Sequence, residues 1–558
     1  MKTIKEIWAD NKKRRLILGL GCFAFLVFIQ LKYLYNTWFD PDEVDIYVYA
    51  YEMNLGNVLY RDLPSQHMPF TYYISAFFYL IGAREIYLQR ICFYIMFAAF
   101  WTGFAFRYRK YFNKWAIVLH PILFFTLLQN QDFSTQILSE NLAAIGAEIF
   151  ILELLRFLKE KDIDIKGCIL MSIAVVFTLG TTFVSIYALF YLGLGVLSLE
   201  IYWGIKNKQP MKEWWAMMLK RYLKLFGIVL IPWVIFIIYS LATHSLYDCY
   251  YQAYVVNREY YPKYIGIGGS ALEGFFIPIT RLCGSFIEFK LKDLTQYALI
   301  EKSMLLMGTL YFPYKLHKKE GVIAGVTLSM FVMSLAERGY FSFHGKQAEA
   351  ALALLSASVM IDIVYQSKEK FAKAGLARKA YFVTFCFLIF VNYCNNLTEN
   401  FVFVYFSEKN HYESDTDAVL AITDENDMMW QTNICNTVEW VSKVPNVNVP
   451  VSCPWMWEGV GSKRFDRVKQ IRPKVIVYTE DYVCWGAKMS EYAPEAYNFI
   501  EENYTYLPGT EQIWVRNEDY AESCRILGYD PEAEYETPKV RHEREEQEKK
   551  EQKEKDDK

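Results

Sequence analysis

Two acids one residue apart, Asp40 and Asp42, with Glu43 directly following, open the polar stretch FDPDEVDIYVYAYEMNLGNVLYRDLPSQHMP from Phe39 to Pro69. A carboxylate shielded from bulk water can take a proton from a hydroxyl as a general base. Two carboxylates at this spacing can also hold a hard divalent ion, so a metal is one expectation for the stretch. Asp40 can cap a helix, Pro41 suits the first helical position, and Glu43 sits where a capping box closes. Those roles account for Asp40 and Glu43. Asp42 is the acid that capping leaves unexplained. Arg61 and His67 lie in the same stretch, and Arg90, Arg338, His344 and Lys346 add cations elsewhere. Arginine is the best phosphate partner among them by geometry, since its planar fork matches a pair of oxygens. Each of these cations could equally be an ordinary headgroup contact at a membrane surface. Glu140, in QILSENLAAIG, would sit at the outer end of an apolar segment, where a charge is costly and points to a functional role, or else the span starts later and Glu140 is simply loop.

The elements that must hold these groups are apolar. The chain has 558 residues, 53% apolar and 18% aromatic, with a formal charge of -3. Its apolar residues gather into about eleven runs long enough to cross a bilayer: 16–35, 86–106, 115–130, 136–157, 167–182, 183–203, 222–242, 296–313, 320–336, 347–366 and 380–395. The run after Lys12-Lys13-Arg14-Arg15 lacks a small-residue cleavage site and is expected to be a retained helix. Segment 69–83 is short and aromatic throughout, as expected of a helix lying along the interface. The basic clusters fall at Lys12 to Arg15, Arg107 to Lys110, Arg156 to Lys161, Lys206 to Arg221, Lys315 to Lys319 and Lys368 to Lys379. With these spans all of them share one side, the cytoplasmic one by the positive-inside rule. The N-terminus is then cytoplasmic, and 36–85, 243–295, 337–346 and everything after about 396 face outside.

From about 410, short apolar runs alternate with polar helical ones: VNVPVSCPW, RFDRVKQIRP, KVIVYTED, PEAYNFIEENY, QIWVRN. That alternation predicts a small α/β domain. The final RHEREEQEKKEQKEKDDK has no apolar residue and is expected to be a disordered tail. The fold class is therefore mostly α: a polytopic membrane protein with interfacial helices in its first outer loop and a small C-terminal extracytoplasmic α/β domain. Its divisions are 1–395 (transmembrane, with loop 36–85 as the catalytic part), 396–540 (α/β) and 541–558 (tail). Eleven cysteines show no CxxC pair and no zinc spacing. Cys435, Cys453, Cys484 and Cys524 fall in the C-terminal region, and in an oxidising compartment they could pair in three ways. Near-neutral charge without a basic groove excludes nucleic acid as a partner. There is no phosphate-cradling glycine loop, no nucleophile elbow and no HExxH.

The pattern Asp42-Glu43 with Tyr47, then VLYRDLPSQHMPFTYYISAFFYLIGA, then Arg90, resembles the GT-C superfamily of polyprenyl-phosphate-sugar glycosyltransferases, near its protein O-mannosyltransferase and aminoarabinose transferase branch. ERGYFSFHGKQAEAALALL, PWMWE and RPKVIVYTED are similar to later segments of that family. The resemblance implies a membrane hexosyl- or pentosyltransferase. It would move a sugar from a polyprenyl-phosphate donor to an extracytoplasmic acceptor hydroxyl on a glycan, lipid or protein, within the bilayer of the cell envelope. Asp42 would be the general base, with Glu43 its neighbour in the donor or acceptor site. Arg90, Arg338 and His344 would lie near the donor phosphate, and Arg61, His67 and Glu140 complete the substrate-binding candidates. Met68 stands where many members have Lys, and Gly345 replaces a Tyr. The competing readings are a flippase or transporter, or a polymerase or ligase, for lipid-linked saccharides. A transporter would place charges at mid-bilayer and repeat its halves, whereas this chain gathers its acids in outer loops.

Overall fold

The computed structural model describes residues 17, 41–108, 110–111, 136–265, 274–276, 280, 298–316, 321–336, 355, 372–373, 375–377, 379–380, 383–384, 415–434, 437–480 and 482–556. The runs expected at 16–35, 115–130, 347–366 and 380–395 lie largely or wholly outside them. Asp40, Arg338, His344 and Lys346 also lie outside the described residues.

The polar stretch opens with helix α1 (Pro41–Asn54), whose first turn carries Asp42 and Glu43. Acids there complement the helix dipole. Val44, Ile46, Tyr47, Val48, Tyr49 and Ala50 are all buried, so α1 is enclosed on several sides. Gly56, at φ 103°, turns the chain after it, as expected of a residue with no Cβ. Segment 69–83 forms the short helix α2 (Phe70–Leu80), packed on α1.

Five longer helices follow at the expected runs: α3 (Ile86–Tyr108), α4 (Ser139–Glu160), α5 (Ile165–Thr178), α6 (Ile186–Lys206) and α7 (Met211–Ala242). Helix α4 is central, with every residue from Asn141 to Phe157 buried. It lies close against α5 because Gly146 has no side chain: a Cβ there would stand 2.7 Å from the Ala174 carbonyl and 2.7 Å from Thr178 Cγ2. Small residues permit such close helix approach inside membranes. Among the described residues two helical stretches are long and apolar enough to cross a bilayer, Phe183–Lys206 and Met211–Ala242. Helix α7 exposes Leu219, Leu223, Phe226, Leu230, Ile231, Val234, Ile235 and Ile238, an apolar face that suits lipid better than water.

After α7 come a turn of helix (Leu246–Tyr250), a π-helical turn (Tyr251–Val256) and the short helix α8 (Tyr261–Ile265). Helices α9 (Ala298–Leu316) and α10 (Val322–Ala336) complete the described apolar part.

The two ends of this bundle differ in charge. At one end Arg107 Nη2 meets Glu153 at 3.0 Å and Asp164 at 3.2 Å, Arg156 Nη1 meets Asp164 at 2.7 Å, and Lys110 pairs with Glu160 at 2.6 Å. Arg221 pairs with Glu200 and donates to the Lys161 carbonyl at 2.7 Å. The basic clusters of loops 107–110, 156–161 and 206–221 thus meet at the same end. Helix α3 carries Arg107 in its last turn and Arg90 near its start. Seventeen residues separate them, about 25 Å at the α-helical rise. Helix α1 lies at the Arg90 end.

The C-terminal region holds a four-stranded sheet in the order β1-β2-β6-β5, from β1 (Met429–Gln431), β2 (Val475–Val477), β5 (Tyr504–Tyr506) and β6 (Ile513–Arg516). The β1–β2 pair is parallel and the others antiparallel. A separate hairpin pairs β3 (Val483–Cys484) with β4 (Ala487–Lys488). Helices α11 (Thr437–Ser442), α12 (Pro454–Met456), α13 (Ser462–Ile471) and α14 (Pro494–Asn503) surround them. VNVPVSCPW, read as a strand, forms none: an isolated bridge sits just ahead of it at Asn446, the Val447 amide donates to the Met429 carbonyl at 2.9 Å, and α12 begins at Pro454. Pro450 and Pro454 remove the amide donors that a ladder needs. The charged tail is also corrected: Pro538–Asp556 is helical (α15). Glu, Lys, Gln and Arg are good helix formers and pair at i, i+4, as Arg544 and Glu548 do here, so a helix forms without a core.

Candidate active site at the outer-loop helix

Consecutive residues of a helix point about a quarter-turn apart, and at the start of α1 this separates two carboxylates by environment. Asp42 is exposed. Glu43 is 0% exposed and faces Arg90, itself 0% exposed. Glu43 Oε1 accepts from Arg90 Nε at 2.8 Å, from the Tyr47 hydroxyl at 2.5 Å and from the Ile137 amide at 3.2 Å. Its Oε2 accepts from Arg90 Nη2. A buried carboxylate is tolerated when its lone pairs are filled and a cation is paired to it, and both conditions hold here.

The amide of Ile137 lies three residues before Glu140, in the first turn of α4. The Glu43–Arg90 pair therefore joins the start of α1, the start of α3 and the entry to α4. Thr71 at the start of α2 shares a hydrogen bond with Ser139 at 3.2 Å, and Thr181 donates to the Ser139 carbonyl at 3.2 Å. The ends of four helices are thus tied around one point.

Tyr261 of α8 comes to the same place. Burial, then the negative charges of Asp42 and Glu140 among its neighbours, push its phenol up to about 12. Its ring meets Trp455 edge-on at 4.8 Å. Cys453 is also within the field of Asp42. Trp455 donates its indole N–H to the Gln66 side-chain oxygen, and Asn257 donates to the Gln66 carbonyl at 2.6 Å. The arrangement is an exposed carboxylate and a second acid whose charges both act on a phenol that stays protonated at neutral pH. One side is walled by the C-terminal domain.

A second group of charges lies along the turn after α1. Tyr60 adopts φ 69°, a conformation rare for a residue with a large side chain. Its carbonyl accepts from Gln252 at 2.8 Å and from Arg464 of α13 at 3.1 Å, and its hydroxyl donates to the His67 carbonyl at 2.7 Å. Arg61 is 43% exposed, pairs with Asp62 at 2.7 Å and donates to the Thr243 carbonyl at 3.1 Å. Burial raises the Asp248 carboxyl above its usual range against the pull of Arg464 and Arg61. His67 is half-buried, its amide donating to Ser65 Oγ at 3.1 Å. Between α2 and α3 an apolar cleft of about 460 Å³ is lined by aromatic and aliphatic side chains that include Tyr73, Phe77, Ile95 and Met96.

Of the residues singled out by sequence, Asp42 and Glu140 both place negative charge in the field felt by Tyr261. Arg61 and His67 lie on the adjoining turn. Glu43 and Arg90 face each other inside the wall, and each neutralises the other. Arg338 and His344 fall outside the described residues. Among the described residues no group of three or more His, Cys, Asp or Glu could hold a metal ion. Tyr261, Trp455 and Arg464 were missed, since each is brought in from a distant segment. In the sequence Tyr261 falls in the loop 243–295 and PWMWE in the C-terminal region, with no local pattern that joins them.

Neither protein-family models nor curated proteins match the sequence. Among solved structures the chain is similar to ArnT from Cupriavidus metallidurans in its apo state, with a TM-score of 0.50 and 10% identity over 90% of this chain and 97% of that one. The same protein bound to undecaprenyl phosphate superposes with a TM-score of 0.44 and 11% identity, again over 90% and 97%. At this identity the likeness is one of fold. That fold is of the GT-C kind anticipated from the outer-loop pattern.

Proposed function

We propose that the chain is an integral membrane glycosyltransferase that moves a sugar from a polyprenyl-phosphate donor to an acceptor hydroxyl outside the cytoplasmic membrane. One observation carries this reading: Asp42 is exposed on α1, its charge and that of Glu140 both reaching Tyr261, while its neighbour Glu43 is locked to Arg90 in the interior. The site lies at the opposite end of the bundle from the basic clusters. By the positive-inside rule those clusters face the cytoplasm and the site faces outward. The ArnT fold supports the same class of chemistry, though fold alone does not assign it.

In this scheme Asp42 takes the proton of the acceptor hydroxyl as the oxygen bonds to the anomeric carbon. The bond between that carbon and the phosphate oxygen breaks, and its electron pair leaves with the polyprenyl phosphate. Glu140 and Tyr261 orient the acceptor through hydrogen bonds. Arg61 and His67 meet the departing phosphate from the adjoining turn, and the cleft between α2 and α3 takes part of the prenyl chain. Arg90 acts through Glu43 as a positioning residue.

The test is transfer from a polyprenyl-phosphate sugar by the purified protein and by Asp42→Asn. A general base contributes roughly 10²–10⁴-fold, and the exposed site predicts unchanged folding. Activity of Asp42→Asn within threefold of the parent would remove the assigned base. Mass spectrometry of the lipid that co-purifies in mild detergent identifies the donor class independently.

A further inference from the structure

The C-terminal domain brings two thiols into contact beside the candidate site. Cys484 Sγ lies 3.9 Å from Cys453 Sγ, both are buried (4% and 8% exposed), and 31 positions of chain separate them. Cys453 directly precedes α12 and sits in the field of Asp42. Cys484 ends β3, and the hairpin turns immediately after it through Trp485 (φ 52°) and Gly486 (φ 83°). Two residues of positive φ make the tight turn that suits a two-residue hairpin. This hairpin is not part of the main sheet: its ladder has two residue pairs, Val483 with Lys488 and Cys484 with Ala487. A ribbon so short is marginal without packing. Its packing is against the site wall, where Trp485 meets Trp455 at 6.5 Å and Trp455 meets Tyr261 at 4.8 Å. Cys524 lies in a different buried cluster, with Val419 and Val515.

We propose that Cys453 and Cys484 are a disulfide site that clasps the β3–β4 hairpin onto the wall of the candidate active site. Bond formation brings the sulfurs closer by about 2 Å, to the ordinary covalent separation, a shift that rotation of two side chains and a small movement of the hairpin supply. The oxidant is a disulfide, either a small-molecule one or that of a dithiol oxidase. The contact with Cys453 holds Cys484 below the ordinary thiol range, against burial, and so favours Cys484 as the attacking thiolate. Cys484 attacks the oxidant, forming a mixed disulfide and releasing one thiol. Cys453 then loses its proton and attacks the Cys484 sulfur, forming the protein disulfide and releasing the second thiol. Two protein thiols are oxidised and one disulfide is reduced. The pairing does not depend on the glycosyltransferase reading, and its readout is a mass rather than a turnover.

The full chain in mild detergent is incubated with oxidised glutathione, denatured, alkylated with N-ethylmaleimide and digested. The expected result is loss of alkylation at both Cys453 and Cys484, appearance of their cross-linked peptide, and reversal by dithiothreitol, with Cys524 alkylated throughout. In Cys453→Ser, Cys484 is expected to carry one glutathione. Full alkylation of both thiols in the parent after oxidation, or pairing of either with another cysteine, overturns the proposal. A Cys484 that stays unmodified in Cys453→Ser while Cys453 is glutathionylated in Cys484→Ser overturns the order of attack.

Discussion

Replacing Arg90 with Met exposes how helix α1 is held. Glu43 and Arg90 are fully buried, and their carboxylate and guanidinium are joined by two hydrogen bonds. Without Arg90 the carboxylate keeps the Tyr47 hydroxyl and the Ile137 amide but loses its counter-charge. Breaking a buried pair on one side costs about 3–5 kcal/mol, because a charge is left without compensation. Replacing both partners by apolar residues removes both charges, and the net change is then small or favourable. The order expected for equilibrium unfolding in mixed micelles is therefore Arg90→Met and Glu43→Leu each destabilised by about 3–5 kcal/mol, with the double variant less destabilised than either. Asp42→Asn is the exposed control and should change stability by less than about 0.5 kcal/mol. Because the pair also fixes the Ile137 amide near Glu140, the single variants should lose turnover even where they stay folded, as displacement of about 1 Å can cost 10²-fold. Arg90→Met within about 1 kcal/mol of the parent, or a double variant no better than the worse single one, would refute the argument.

Other expectations follow from single sites. Gly146→Val forces a side chain into the Ala174 carbonyl and Thr178. It should cost about 1–3 kcal/mol by overpacking, read as a lower unfolding midpoint. Glu439 of α11 is fully buried, one oxygen receives Asn446 at 2.6 Å, and burial raises its carboxyl well above the ordinary range. A group with a raised folded pKa contributes stability that is complete below its unfolded value and is lost as pH rises towards the folded one. The advantage of Glu439→Gln over the parent should therefore be small near pH 4 and grow towards neutrality; a gap that shrinks as pH rises would reverse the sign. Trp455→Ala removes the contact to Gln66 and the face of Tyr261. It should raise the acceptor KM more than the donor KM; an equal rise in both would place the C-terminal domain elsewhere in the reaction.

The apolar run lengths marked α3 to α7, α9 and α10 to within a few residues at most of their ends, because a membrane helix satisfies its backbone internally and is specified by its own composition. The one large departure is the start of α7, which begins at Met211 in the basic stretch ahead of the apolar run. Pro41, the two acids of the first turn and Gly56 likewise announced both ends of α1. Asp42 was legible as the acid that capping did not need, and the structure leaves it exposed. What sequence could not decide is which way each polar residue turns once segments distant in the chain meet. Asp42 and Glu43 are neighbours of nearly identical chemistry, and only the approach of Arg90 and the Ile137 amide sends one inward and leaves the other at the site. Arg90 matched a phosphate-binding pattern equally well as a free cation or as half of a buried pair. Tyr261, Trp455 and the Cys453–Cys484 contact arise from segments hundreds of positions from α1. No local periodicity encodes such meetings, because they are set by the packing of whole helices and a domain against one another.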